Sequence, residues 1–269
     1  MPVAHVNGAD LYYEEHGVGT PILGIHGTPS SSLLWVDAAE KLAEYGRCII
    51  YDRRGFSRSV RPEPFEEVDL VDHVDDAVAL LEALTASPAI VIGRSTGGQI
   101  ALELARRFPD LVSALCLLEP ALFSIDPVAA VFAEHLREQI LGAAASDPSA
   151  AAEVVIREAL GNDGWESLPP ALRAMFTSAS PAVLAEVRGH GLDLSAHPLA
   201  LSDDDLASLR QPTLLVSATD SPVVLRLIND RLAAALPHSR QVRVEGGHLI
   251  DPAHPAVVEF ISTLPPPSD

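Results

Sequence analysis

Apolar residues in this chain come in short runs that alternate with stretches of helical spacing. "PILGIHG", "RCIIYD", "AIVIG", "SALCLLE" and "PTLLVSA" are rich in Val, Ile and Leu, the pattern of strands buried on both faces. Helices are predicted around 33–45 and 67–84, directly after Ser95, around 222–236 and near 254–263. In the one after Ser95, Ile100, Leu102, Leu104, Ala105 and Phe108 lie at spacings suited to a packed helix. A further strand, "RQVRVEGG", precedes the last helix. The chain opens on a hairpin, "VAHV" then "ADLYYEEHG", with Asn7-Gly8 as the positive-φ turn. Repeated strand–helix units predict an α/β fold, a parallel sheet covered by helices on both faces.

Residues about 121–205 interrupt that alternation. "PVAAVFAEHLREQIL" and "SAAAEVVIREAL" are alanine-rich helical patterns, and no convincing strand lies between them. This region is expected to form a helical cap, or lid, over the carboxyl edge of the sheet, where ligands bind in such folds. The core domain is then 1–120 together with 206–269, and the cap is 121–205. The tail "PPPSD" is expected to fray. No internal repeat is present.

At 269 residues and 48% hydrophobic content the chain can bury a sizeable core. No stretch approaches the roughly 18 uninterrupted apolar residues of a membrane span. The opening "MPVAHVNGADLYYEEHG" lacks a basic region followed by an apolar one, so the chain reads as soluble and cytoplasmic. A formal net charge of −19 repels phosphate backbones and anionic membranes, which argues against nucleic-acid and membrane partners. Cys48 and Cys116 both fall inside core strands and read as small buried hydrophobes, with no disulfide. No His, Cys or carboxylate pair has metal spacing, so no metal site is expected.

One junction carries chemistry. Gly93-Arg94-Ser95-Thr96-Gly97 has the form G-x-S-x-G between a predicted strand and a predicted helix. That is the nucleophile-elbow pattern, a turn that strains the serine backbone and projects its hydroxyl, so that small residues must flank it. A serine hydroxyl needs a base to take its proton. His248, in "VEGGHLIDPAHP", follows the last strand and a Gly-Gly loop, which puts it on the same sheet edge as Ser95. His254 is expected to open the last helix instead. A developing oxyanion also needs donors. Thr96 should supply one backbone N–H, and Thr28, in the loop "IHGTP", the second. His26 reads as a structural hydrogen-bonding group of that loop.

With these residues in place the chain resembles an α/β-hydrolase. "HGTP" at 26–29, "YDRRGFSRS" at 51–59, "GRSTGG" at 93–98 and "GGHLIDPAHP" at 246–255 match that family's motifs in order, over nearly the whole chain apart from the cap. The resemblance implies an eight-stranded, mostly parallel sheet, a Ser–His–acid triad and no cofactor. It also implies that Asp52 and Arg53 belong to a structural turn. The HG-x-P form is similar to epoxide hydrolases and haloalkane dehalogenases too, but those place an aspartate at the elbow, and Ser95 argues against both.

The resemblance places the acid after "PTLLVSATDSP", at a position that Ser221 occupies here, with Asp220 one place short. A second location used in the fold is the end of the strand after the nucleophile helix. There "ALCLLEPAL" offers Glu119, a carboxylate that no solvated face explains. Lactonase-type members, such as the fungal zearalenone lactonases, are similar in using a glutamate there. Glu119 is the favoured acid and Asp220 the alternative.

The leading expectation is a serine hydrolase acting on a carboxylic ester or lactone. Phe123, Phe132, Trp165, Met175 and Phe176 are candidate lining residues of the cap, and they suggest an uncharged, largely apolar substrate. Trp165, beside Gly164 in a loop-like stretch, and Phe123 are singled out for substrate binding. Two other readings stay open: a non-hydrolytic or C–C-cleaving use of the same triad, and a ligand receptor that retains the triad. The oligomeric state, a homodimer included, is not set by the sequence.

Overall fold

The computed structural model describes residues 2–265. Residues 266–269, most of the tail expected to fray, lie outside the described residues. The chain begins with β1 (Val3–Val6), β2 (Ala9–His16), β3 (Pro21–Ile25), α1 (Val36–Leu42) and β4 (Arg47–Tyr51). There follow α2 (Leu70–Ala83), β5 (Ala89–Arg94), α3 (Thr96–Arg107) and β6 (Val112–Leu118). Four helices come next: α4 (Pro127–Ser146), α5 (Ala151–Ser167), α6 (Pro170–Ser178) and α7 (Ser180–Arg188). After β7 (His190–Gly191), β8 (His197–Pro198) and α8 (Asp203–Ala207) the alternation resumes with β9 (Thr213–Ala218), α9 (Val223–Ala235), β10 (Ser239–Val244) and α10 (Pro255–Thr263).

Eight strands form one sheet in the order β1-β2-β4-β3-β5-β6-β9-β10. The β1/β2 and β2/β4 pairs are antiparallel and all later pairs are parallel. Register and side-chain alternation together build the two faces. Ile49, Leu23, Val91 and Leu115 stand in one row across four strands and join a core with residues of α2, α3 and α9. The next row carries Ile50, Ile92, Cys116 and Leu214 to the opposite face, where Ala39 and Leu42 of α1 and Val257 and Phe260 of α10 cover them. Cys48 and Cys116 are free thiols of this second core; burial pushes Cys48 up to about 12 and raises Cys116 as well.

The region read as strand-free contains one exception. His190–Gly191 pairs in parallel with His197–Pro198, two residues on each side, with the two imidazoles stacked at 5.4 Å between centroids. The other regular elements between β6 and β9 are helices, and α4, α5 and α7 share an apolar cluster built on Leu136, Ile140, Ala151, Val155 and Val183. Among the described residues no helix is long and apolar enough to cross a membrane, and no group of three His, Cys, Asp or Glu could hold a metal ion.

Parallel strands end on the same edge. The carboxyl ends of β3, β5, β6 and β10 therefore deliver the loops of His26–Thr28, Ser95, Glu119 and His248 to one side of the sheet.

Candidate active site

Ser95 sits between β5 and α3 with φ 55° and ψ −123°, a backbone conformation that costs a non-glycine residue roughly 1–3 kcal/mol. The neighbours hold it there. Its N–H donates to Leu118 O at 3.1 Å, and its carbonyl accepts from Gly98 N at 2.8 Å and Ala121 N at 3.0 Å. A Cβ on Gly93 would lie 2.3 Å from Gly97 O, and one on Gly97 would lie 2.1 Å from Ile25 O. Those approaches are the steric reason for glycine on either side of the serine. The hydroxyl does not cap α3 and makes no hydrogen bond among the described residues.

Glu119 also has a positive φ, 46°, directly after β6, and is fully buried. Its Oε1 accepts from Ala218 N at 2.7 Å, and its Oε2 accepts from Ser221 Oγ at 2.8 Å and lies 2.7 Å from His248 Nδ1. With Glu119 ionised, Nδ1 carries the proton and Nε2 is left as the free base. Asp220 is exposed, and its backbone N–H is engaged by Gly246 O. The structure therefore brings His248 to Glu119 and not to Asp220, and Ser221, in the alternative acid position, serves as a donor to the same carboxylate.

Ser95, His248, Thr28 and Thr96 line one cavity between the sheet edge and the inserted helices. Thr96 is the first residue of α3, so its N–H is one of the orphan donors of a helix start. Neither the Thr28 nor the Thr96 amide donates to another group among the described residues. The arrangement can supply a hydroxyl, a base held in one tautomer, and two free amide donors.

A buried network supports the Thr28 loop. Thr28 Oγ1 accepts from Arg53 Nη2 at 2.6 Å and donates to Glu186 Oε2 at 2.6 Å. Arg53 Nη1 pairs with Glu186 Oε1, which also faces His73 Nε2 at 2.9 Å. Burial opposes ionisation of Glu186, but the Arg53 guanidinium and the His73 and Thr28 bonds pull its carboxyl down to about 2. His26 is a structural imidazole. Its Nδ1 faces Gly27 O at 2.8 Å, its Nε2 accepts from Arg53 N at 2.9 Å, and burial, with the Arg53 charge, lowers its pKa to about 3.

Of the residues proposed to line the cavity, Phe123, Phe132 and Phe176 do so. Trp165 does not. It lies inside helix α5, past a kink at Gly161, and is 4% exposed in a cluster with Ile156 and Phe176. Met175 packs against that same cluster. The glycines around Trp165 mimic a loop, but the ring is too large to leave outside the packing of α5 on α6. His254, as expected, caps α10, accepting from Ala256 N at 3.1 Å.

Several wall residues escape a reading of the sequence, among them Ser30, Arg94, Glu158 and Leu249. Arg94 has a signal: a cation ending an otherwise apolar strand is as unexplained by solvation as Glu119. Glu186 has none, because its partner lies 133 positions away.

A family model described as alpha/beta hydrolase fold matches residues 20–251. The protein named "Putative carbamate hydrolase RutD" from Azorhizobium caulinodans is 30% identical over 263 residues, covering 96% of this chain and 95% of its own length. Among solved structures, Est816, described as an N-acyl homoserine lactone degrading enzyme, is 25% identical with a TM-score of 0.75, and the match covers 98% of each chain. A thermophilic esterase from Thermogutta terrifontis is 24% identical with a TM-score of 0.76, again over 98% of each chain, and shares the fold.

Proposed function

The chain belongs to the alpha/beta hydrolase fold family, and on that premise we propose that it is a serine hydrolase cleaving a carboxylic ester or lactone through an acyl-enzyme. The observation that carries this reading is the 2.7 Å contact between His248 Nδ1 and Glu119 Oε2 on the wall that also bears the strained Ser95.

Ser95 Oγ attacks the carbonyl carbon while His248 Nε2 takes its proton. The amides of Thr28 and Thr96 hold the developing oxyanion. The C–O bond then breaks, and His248 returns the proton to the departing alkoxide, which in a lactone stays tethered to the acyl group. Water attacks the acyl-enzyme, gives a proton to His248, and releases the acid as that proton passes back to Ser95. Glu119 fixes the imidazole tautomer and stabilises the imidazolium.

Similarity to RutD and Est816 supports hydrolysis at a carbonyl, since the first is named for a carbamate and the second is described by a lactone. Phe123, Phe132, Leu136 and Val155 give the cavity an apolar wall suited to a hydrocarbon acyl chain.

A fluorophosphonate should label the protein once, on Ser95. A panel of simple esters, macrocyclic lactones and an aryl carbamate, with Ser95→Ala as blank, should show turnover that depends on Ser95. Labelling that persists in Ser95→Ala, or full activity in that variant, overturns the reading.

A further inference from the structure

Thr28 and Thr96 are matched in their backbones and differ in their side chains. Each has an amide that donates to no group among the described residues, and each lines both the Ser95 cavity and a smaller one beside it, which Gln99, Glu186 and Asp193 also border. The Thr28 hydroxyl is already engaged: it donates to Glu186 Oε2 and accepts from Arg53 Nη2. The Thr96 hydroxyl makes no hydrogen bond among the described residues, although the residue is only 8% exposed. Hydroxyls shut away in the interior without a partner do occur in this fold, at Ser30, Ser195 and Ser217. Thr96 Oγ1 is not one of them. It therefore keeps open surface, and the space that Thr96 borders is that of the two cavities.

Covalent geometry ties that hydroxyl to its own amide. Thr96 is the first residue of α3, so Oγ1 has no carbonyl of a preceding helical turn to bond back to. The two rotamers that a helical threonine uses both hold Oγ1 gauche to the backbone nitrogen, about 3 Å away. An acceptor that takes the Thr96 N–H from the cavity side is then within reach of the hydroxyl as well. A carbonyl oxygen offers two lone pairs, which the Thr28 and Thr96 amides fill, and the oxyanion of a tetrahedral intermediate offers a third.

We propose that Thr96 Oγ1–H is a third donor to the oxyanion, engaged when the carbonyl carbon becomes tetrahedral. The proposal rests on the hydrolase reading above and adds a catalytic group to that site. The hydroxyl keeps its proton throughout and directs it at the oxygen that attack by Ser95 leaves negative; no bond to Thr96 forms or breaks. An interaction made only at that stage lowers the barrier without tightening substrate binding. The Thr28 hydroxyl does not serve in the same way, since its proton is directed at Glu186.

Steady-state kinetics on p-nitrophenyl butanoate test the donor in Thr96→Val, which keeps the branched shape and loses the hydroxyl, with thermal unfolding run on each variant. kcat should fall about 10²- to 10³-fold, the scale of one lost oxyanion donor, with KM little changed. Thr96→Ser should recover most of the loss. A second readout separates the hydroxyl from packing. A trifluoromethyl ketone takes Ser95 Oγ onto its carbonyl carbon while the serine proton passes to His248, and its oxygen is left as an oxyanion. Its inhibition constant should rise in Thr96→Val by the factor by which kcat/KM falls. Unchanged kcat, a loss confined to KM, or ketone inhibition that does not follow kcat/KM overturns the proposal. Should Thr96→Val fail to fold, Thr96→Ala and Thr96→Ser decide: a gap of the stated size between them supports the third donor, and equal turnover overturns it. Turnover by the intact chain and its loss in Ser95→Ala are read alongside. If neither this ester nor the panel above shows Ser95-dependent turnover, the hydrolase reading fails and the third donor with it. Ser95-dependent turnover that Thr96→Val leaves intact removes the third donor alone.

Discussion

Glu119 and His248 meet at 2.7 Å although 129 positions separate them, and the meeting leaves the carboxylate fully satisfied by His248, Ser221 and Ala218. Glu119→Gln keeps the shape and removes the charge that stabilises an imidazolium. Steady-state kinetics should show kcat falling by up to about 10⁴-fold, the scale of an acid that fixes a tautomer. Asp220→Asn should retain most activity. The reverse order would move the acid to the loop after β9.

Replacing the base itself should be at least as damaging. His248→Ala is expected to lose about 10⁴-fold or more in kcat, as removal of a base that acts as a unit with its nucleophile does elsewhere. Near-normal turnover in that variant removes His248 from the mechanism.

Breaking the buried Arg53–Glu186 pair should cost stability. Glu186→Gln leaves a guanidinium uncompensated, a loss of roughly 3–5 kcal/mol in urea unfolding at pH 7. The Glu186 carboxyl is held down to about 2, so its contribution is present above the ordinary glutamate range and is lost as pH falls towards 2. The gap between wild type and Glu186→Gln should therefore close between about pH 4.5 and 2. A gap independent of pH would show that the charge of Glu186 contributes nothing.

Asp193 has the opposite sign. Burial pushes it up to about 7, against hydrogen bonds from Ser124 and Gln99. A raised carboxyl favours the fold while it is protonated, and that advantage drains away as pH rises from the ordinary aspartate range to about 7. Asp193→Asn lacks this slope, so its stability relative to wild type should climb over that interval and then level off. Parallel stability curves across the interval would contradict the assignment.

Trp165 and Phe123 should separate packing from substrate contact. Trp165→Ala should lower unfolding free energy by roughly 3–5 kcal/mol, the cost of emptying a buried aromatic site. Phe123→Ala should act more on KM, because Phe123 lines the cavity and Trp165 does not. A larger KM effect from Trp165→Ala would return that ring to the binding surface.

The strand–helix alternation is readable because strands buried on both faces are continuous apolar runs, and β3, β4, β5, β6 and β9 each lie within a residue or two of their runs. Helix starts are less so. The helix expected from 67 begins at Leu70, since Asp69 and Asp72 form a capping box that fixes the first turn. The segment expected as helix over 33–45 divides into a 3-10 turn, Ser32–Trp35, and α1. At the site, Ser95 and His248 are legible from local pattern, and Glu119 from a charge with no solvent to face. Arg53–Glu186 is not, because ion pairing across the fold leaves no periodic trace in either segment. Trp165 misleads because Gly161 and Gly164 signal a break, and α5 answers with a kink and continues.

The most deeply buried guanidinium among the described residues, Arg53, draws its counter-ion from α7, between β6 and β9, and that limits how the helices of this segment can be exchanged. A chimaera that grafted another helical roof in place of residues 121–205 would strand Arg53 beside Thr28 unless the donor sequence brought an acid to the place of Glu186. Helices α4, α5 and α6 are under no such constraint: they face the cavity through Phe132, Val155 and Phe176 and make no bond to Arg53. Divergence among relatives with this architecture can therefore change the first three helices without stranding Arg53, while α7 travels with the core as though it were one of its own strands.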